Sequence, residues 1–226
     1  MLRKIEDFKK DWEYEAEATG KILNALTDES LSQKVTPDGR SLGFLAWHLT
    51  QTLPEMLGNV GLKIDGPGHD QECPTKASEI ASAYEKAAKS VTQEVTSNWK
   101  DETLLETDSM YGDTWARGVT LFALIAHQAH HRGQMTVLMR QAGLRVPGVY
   151  GPAKEEWAAM GAPAMPMEMN VAVPRADPIW VPEPARPDAS PAWVSGTAAA
   201  TTIVVGVKLS ATPVATSSSP GSTPLR

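Results

Sequence analysis

The 226-residue sequence predicts an all-α fold, a four-helix bundle followed by a low-complexity tail. Three observations carry that expectation. Residues 1–160 contain four segments in which apolar side chains return every three or four positions, the period of a helix with one buried stripe. No convincing strand alternation interrupts them. Clusters of Gly, Pro and Asp at 36–40, 65–69 and 111–113 separate the segments. Helices of roughly 20–25 residues with a single stripe each bury those stripes most simply against one another.

The first segment places Ile5, Phe8, Trp12, Ala16, Leu23 and Leu26 on one stripe within a highly charged background. Ser41 is a suitable N-cap for the second, whose stripe is Leu45, His48, Leu49, Thr52, Met56 and Leu57. Pro54 is expected to kink that helix late, and Gly58-Asn59 to end it. The third segment spans about 75–99, with Ile80, Tyr84, Ala87, Val91 and Val95 on one face. The fourth, about 116–141, is the most apolar and stops at Ala142-Gly143 before Pro147.

Composition changes near Gly161. Eleven of the 17 prolines lie at or after Pro163, and the chain from there is rich in Ala, Pro, Ser and Thr. Residues 161–226 carry four basic and four acidic side chains, so the net charge of −6 belongs to residues 1–160. A bundle domain over 1–160 and a disordered tail over 161–226 are the expected organisation.

Several functional classes are set aside by the same composition. A single cysteine, Cys73, allows no internal disulfide and no Cys-rich zinc framework. The acidic balance argues against a nucleic-acid partner, which calls for a basic face. No apolar run is long enough to span a membrane, and the charged residues 1–10 lack a signal-peptide core. A cytoplasmic protein without a membrane partner is expected.

The chemistry-bearing residues are histidines. His127 and His131 lie four apart on the fourth segment, about 40° apart around a helix axis, so both imidazoles leave one face. Leu124, Met135 and Leu138 share that stripe, and His48 occupies the corresponding stripe of the second segment, so all three point inward. Two readings fit: three separate core histidines, each hydrogen-bonded, or a shared divalent metal held by neutral imidazoles. The pair is not a metalloprotease motif, because Gln128 stands where the general-base glutamate would follow His127. His130, beside Ala126, Gly133 and Val137, is expected to support a ligand or to sit in an interface, and His69 in a solvated loop. Cys73 precedes Pro74 with no neighbouring base and is not expected to act as a nucleophile.

The ordered set Leu45-Ala46-Trp47-His48-Leu49, His127-Gln128-Ala129-His130-His131-Arg132-Gly133-Gln134 and Val146-Pro147-Gly148-Val149-Tyr150-Gly151-Pro152 resembles the DinB/YfiT-like superfamily over about residues 5–160. That resemblance implies a bundle, usually homodimeric, holding one divalent metal on His48, His127 and His131. It also implies a small-molecule substrate. Members with an assigned activity include transferases and isomerases that use a low-molecular-weight thiol; others are known only as stress-inducible proteins. Imidazole ligands suit several metals, with zinc the first expectation, nickel the second, and iron or manganese behind them. The expected reaction is thiol transfer or isomerisation, with metal-assisted hydrolysis or metal binding without turnover as the competing readings. Gln51, Thr52 and Gln134 are candidates to orient the ligand rings, and Trp47, Tyr111, Trp115 and Tyr150 to line a pocket mouth. Arg132 diverges from His131 by about 100° and is expected in a solvent-side or dimer salt bridge.

Overall fold

A computed structural model describes residues 2–161; the predicted tail beyond Gly161 lies outside the described residues. Four helices carry the fold, as the sequence predicts: α1 (Ile5–Asn24), α2 (Leu42–Gly58), α3 (Ala77–Asn98) and α4 (Arg117–Gln141). Helices α1 and α2 each pack on both α3 and α4. The stripes meet in one core that includes Phe8, Trp12, Ile22, Leu49, Leu53, Ile80, Tyr84, Val91, Leu124 and Met135, each at most 1% exposed. The Phe8 and Trp12 rings stack at 6.1 Å, and the Trp12 indole N–H donates to the Ala88 carbonyl at 3.1 Å, tying α1 to α3. Among the described residues, no helix is long and apolar enough to cross a membrane.

The helix ends follow local chemistry. Ser41 caps α2 as predicted, its Oγ accepting from the Phe44 N–H at 3.1 Å. Pro54 is carried inside α2, which ends at Gly58 with Asn59 as its cap. Helix α3 begins at Ala77, two residues later than Thr75, because Asp28 Oδ1 accepts the Ala77 N–H at 2.8 Å and sets the first turn from outside the helix. Gly143, at φ +76°, lets the chain turn out of α4 in the left-handed conformation that a side chain would strain.

The expectation of no strand is corrected. Strands β1 (Thr107–Met110) and β2 (Asp113–Ala116) pair antiparallel, with Thr107 opposite Ala116 and Met110 opposite Asp113. Tyr111 and Gly112, both at positive φ (52° and 85°), form the two-residue turn that suits the twist of a hairpin. Each strand has four residues, mostly polar, and only Met110 is buried, so no alternating pattern marks them.

Candidate metal centre

Helices α2 and α4 pack side by side, and that packing brings His48 to His127 and His131. The His48 and His127 Nε2 atoms lie 3.2 Å apart, and those of His127 and His131 3.1 Å apart. A nitrogen from each of the three rings lies within 4.8 Å of the others. Ring centres are 4.4–5.0 Å apart and the planes are steeply inclined, so edges rather than faces meet.

This arrangement fits a metal. Nitrogens bound at about 2.1 Å to one ion, at angles of about 95–109°, stand roughly 3.1–3.4 Å apart. The His131 Nδ1–H donates to Gln134 Oε1 at 2.8 Å, which leaves the lone pair on the Nε2 that faces the cluster. The Gln134 amide in turn donates to His130 Nε2 at 3.1 Å. His127 Nδ1 is buried with no partner among the described residues, so that ring's only engaged nitrogen is the one turned toward the other two.

Electrostatics favour the neutral, electron-pair-donating rings. Burial, then the neighbouring His131 and the Arg40 guanidinium, lower the His48 pKa to about 4. Burial, followed by His131 and His48, lowers that of His127 to about 3. Burial also pulls His131 below the usual histidine value, against the Gln134 hydrogen bond that raises it. A cation-binding site of this kind needs no proton displaced from its donors near neutral pH.

Other candidates fall in different places. Gln134 is positioned as expected, on His131. Gln51 and Thr52 are not: Gln51 Nε2 donates to the Gly68 and Gln71 carbonyls at 2.6 and 3.1 Å, and Thr52 to the Leu49 carbonyl at 3.0 Å. Trp47 is buried, with its N–H on the Gln71 carbonyl at 3.0 Å, so α2 uses both Trp47 and Gln51 to hold the following loop. Tyr111 packs edge-on against Trp115 and donates to Glu55 Oε1 at 2.9 Å. His69 is exposed, as predicted, with Nε2 3.8 Å from Glu55 Oε2. Cys73 is exposed, and partial burial of its thiol pushes the pKa up, away from thiolate chemistry.

Arg132 is the clearest correction. It is 2% exposed, not solvent-side, and pairs with Glu15 Oε2 at 2.5 Å while donating to Thr19 Oγ1 at 2.9 Å. Tyr150 closes this group rather than a pocket mouth: its hydroxyl donates to Glu15 Oε1 at 2.5 Å and accepts from Arg132 at 2.7 Å. Gln128, singled out only for what it is not, is fully buried. It accepts from the Tyr84 hydroxyl at 3.1 Å and sets its amide 3.4 Å from the Leu49 carbonyl, next to His48 in sequence. Phe44 was also missed: its ring stacks on His48 at 6.0 Å, one turn away on α2, a spacing of four that was open to view in the sequence.

Comparison with known proteins agrees with the fold. The profile of the DinB family matches residues 1–169. Protein YrdA of Bacillus subtilis (strain 168), described as uncharacterised, is 47% identical over 167 residues, which are 74% of this chain and 100% of YrdA. The crystal structure of a DinB-like protein from Bacillus cereus ATCC 10987 superposes with a TM-score of 0.64 at 46% identity, covering 66% of this chain and 100% of that one. A second DinB-like structure, YjoA of Bacillus subtilis, shares the fold at a TM-score of 0.52 and 13% identity, over 65% of this chain and 99% of its own. With four helices in this arrangement, and with the profile and the nearly half-identical relatives covering most of the sequence, the chain belongs to the DinB family.

Proposed function

We propose that His48, His127 and His131 hold one divalent metal ion, zinc before nickel, iron or manganese, and that the protein is a metal-dependent enzyme acting on a small molecule with a low-molecular-weight thiol. The observation that carries this reading is the convergence of the three Nε2 atoms, at 3.1 and 3.2 Å along the cluster. Three imidazoles leave part of an ion's coordination sphere open, the feature that separates catalytic from closed structural sites. When bound, the ion supplies Lewis acidity that favours the thiolate form of a thiol at neutral pH. The chain's own residues hold the donors: Gln134 fixes the His131 tautomer, and Gln128 links α4 to the backbone of α2 beside His48. We place the protein in the cytoplasm, where small thiols are reduced, and propose that it acts as a homodimer joined through the outer face of α4.

Plasma mass spectrometry of the purified protein tests the metal reading. The wild type is expected to carry near one divalent ion per chain, and His48→Ala and His131→Ala to lose it. His130→Ala is expected to keep it, because His130 meets the cluster only through Gln134 and its ring contact with His131. A wild type that stays metal-free after reloading at neutral pH overturns the metal centre. A loaded protein that turns over no model electrophile with any of several small thiols overturns the enzymatic part alone.

A further inference from the structure

The histidine centre has a charged rim that metal binding leaves unused. Arg40 Cζ lies 5.1 Å from the centre of the Phe44 ring, and that ring stacks on His48 at 6.0 Å with planes 11° apart. Guanidinium, phenyl and imidazole thus form a row that ends at the cluster. Both outer members face solvent: Arg40 is exposed and Phe44 is 46% exposed. The contact holds the guanidinium on the Phe44 ring, which itself stacks on His48, without neutralising it. Among the described residues no carboxylate pairs with Arg40.

The charged and titratable groups acting on the three rings from neighbouring segments are Arg40 before α2, His69 after it and His130 on α4. None of them is acidic. The carboxylate that faces His69, Glu55, is engaged by Tyr111 as well. A dication on three neutral imidazoles would therefore share its surroundings with the fixed positive charge of Arg40, and the ion's own charge adds to it. Such a setting selects a ligand with negative charge at both ends, one for the ion and one for the guanidinium. The planar fork of an arginine fits a carboxylate with two parallel hydrogen bonds.

We propose that Arg40 is a specificity-determining residue of this centre: it receives a carboxylate on the small molecule that approaches the ion, and Phe44 supports that molecule's carbon chain. The proposal rests on the metal reading above. It narrows the ligand to an anionic one and excludes neutral or cationic end groups as the preferred partners of this site.

The test uses the full-length protein loaded with cobalt(II) and titrated with three thiols that share a two-carbon spacer: 3-mercaptopropionate, 2-mercaptoethanesulfonate and 2-mercaptoethanol. Thiolate-to-cobalt absorption reports binding. A carboxylate can also reach the ion, so the quantity read is the change in the affinity ratio of mercaptopropionate to mercaptoethanol on substitution. Arg40→Gln is expected to reduce that ratio about ten-fold, the loss of one charge-assisted contact, with cobalt stoichiometry and mercaptoethanol affinity unchanged. An unchanged ratio overturns the proposal. An Arg40-dependent gain smaller for the sulfonate than for the carboxylate supports the fork, and an equal gain overturns the preference for carboxylate. In metal-free ¹⁵N-labelled protein, the side-chain Nε–H signal absent from Arg40→Gln is expected to move with 3-mercaptopropionate and not with 2-mercaptoethanol. If cobalt does not load but that signal responds, the metal reading fails and Arg40 recognition stands. Cobalt loading without an Arg40-dependent ratio has the opposite meaning.

Discussion

Arg132 shows how far one side chain's role depends on what surrounds its helix. In the sequence it adjoins His131 and diverges from it by about 100°, which reads as a turn toward solvent. Helix α4, however, is flanked by α2 on the histidine side and by α1 on the other, so that direction leads into the second interface. Glu15, Thr19 and Tyr150 satisfy the guanidinium there. Removing one member of such a pair strands the other charge without water, which costs about 3–5 kcal/mol. Arg132→Met is therefore expected to lower stability in urea by about that amount, and Arg132→Met combined with Glu15→Leu to recover most of it. If the double variant is no more stable than the single one, the stranded charge is not the source of the loss. The three histidines were legible because i,i+4 spacing and an apolar stripe are local properties. Arg132, Glu15 and Thr19 were not, because their burial belongs to the pairing of α1 with α4.

Among the elements, the start of α3 depends on a residue from another part of the chain. Asp28 accepts the first-turn N–H of Ala77 and pairs with Lys76 at 2.8 Å. The Lys76 hydrogen bond and then the Ala77 N–H hold its carboxyl below the usual 3.8. A carboxyl with a depressed folded pKa stabilises the fold fully above its unfolded value, and that contribution is lost as pH falls through the folded value. Thermal unfolding of the wild type should therefore weaken below about pH 4, while Asp28→Asn should start lower at pH 7 and fall less steeply in acid. Equal acid slopes for the two proteins would remove Asp28 as the source. The ends of α2 and α4 were readable from Ser41, Gly58 and Gly143, whose capping chemistry lies in adjacent residues. The cap of α3 was not, since its acceptor stands 49 positions away. The hairpin was hidden for a related reason: its strands gain their order by pairing with each other, with Arg117 spanning Asp108 and Glu106 at 2.8 and 2.7 Å.

For the molecule as a whole, the outer side of α4 is the surface on which the proposed dimer rests. Phe122 and Val137 are each 53% exposed, and Ala126 and Gly133 between them are exposed as well. An added Cβ at Gly133 would meet nothing within 4 Å, so the helix is open to close approach there. Light scattering after gel filtration is expected to give twice the chain mass for the wild type and a monomer for Val137→Glu, with helical content retained. A monomeric wild type at micromolar concentration overturns the dimer. The Ala/Pro/Ser/Thr-rich residues beyond 169 fall outside the family match, and a 167-residue match covers the whole of YrdA.

Fold class, the four helices with most of their ends, and the inward direction of His48, His127 and His131 were all present in the order of residues. Helical period, caps and stripe phase are set within a turn or two of chain and need no partner to be read. Packing decided the rest. It brought Nε2 atoms 79 residues apart to 3.2 Å, buried Arg132 between helices, and drew Gln51 to a loop instead of a ligand. It also left Arg40 over the Phe44 ring that stacks on His48, with no carboxylate to neutralise it among the described residues. These outcomes depend on which helices are neighbours. A stripe on one helix cannot specify that choice, because any apolar face can bury against any other, and the polar groups between them settle it only once they meet.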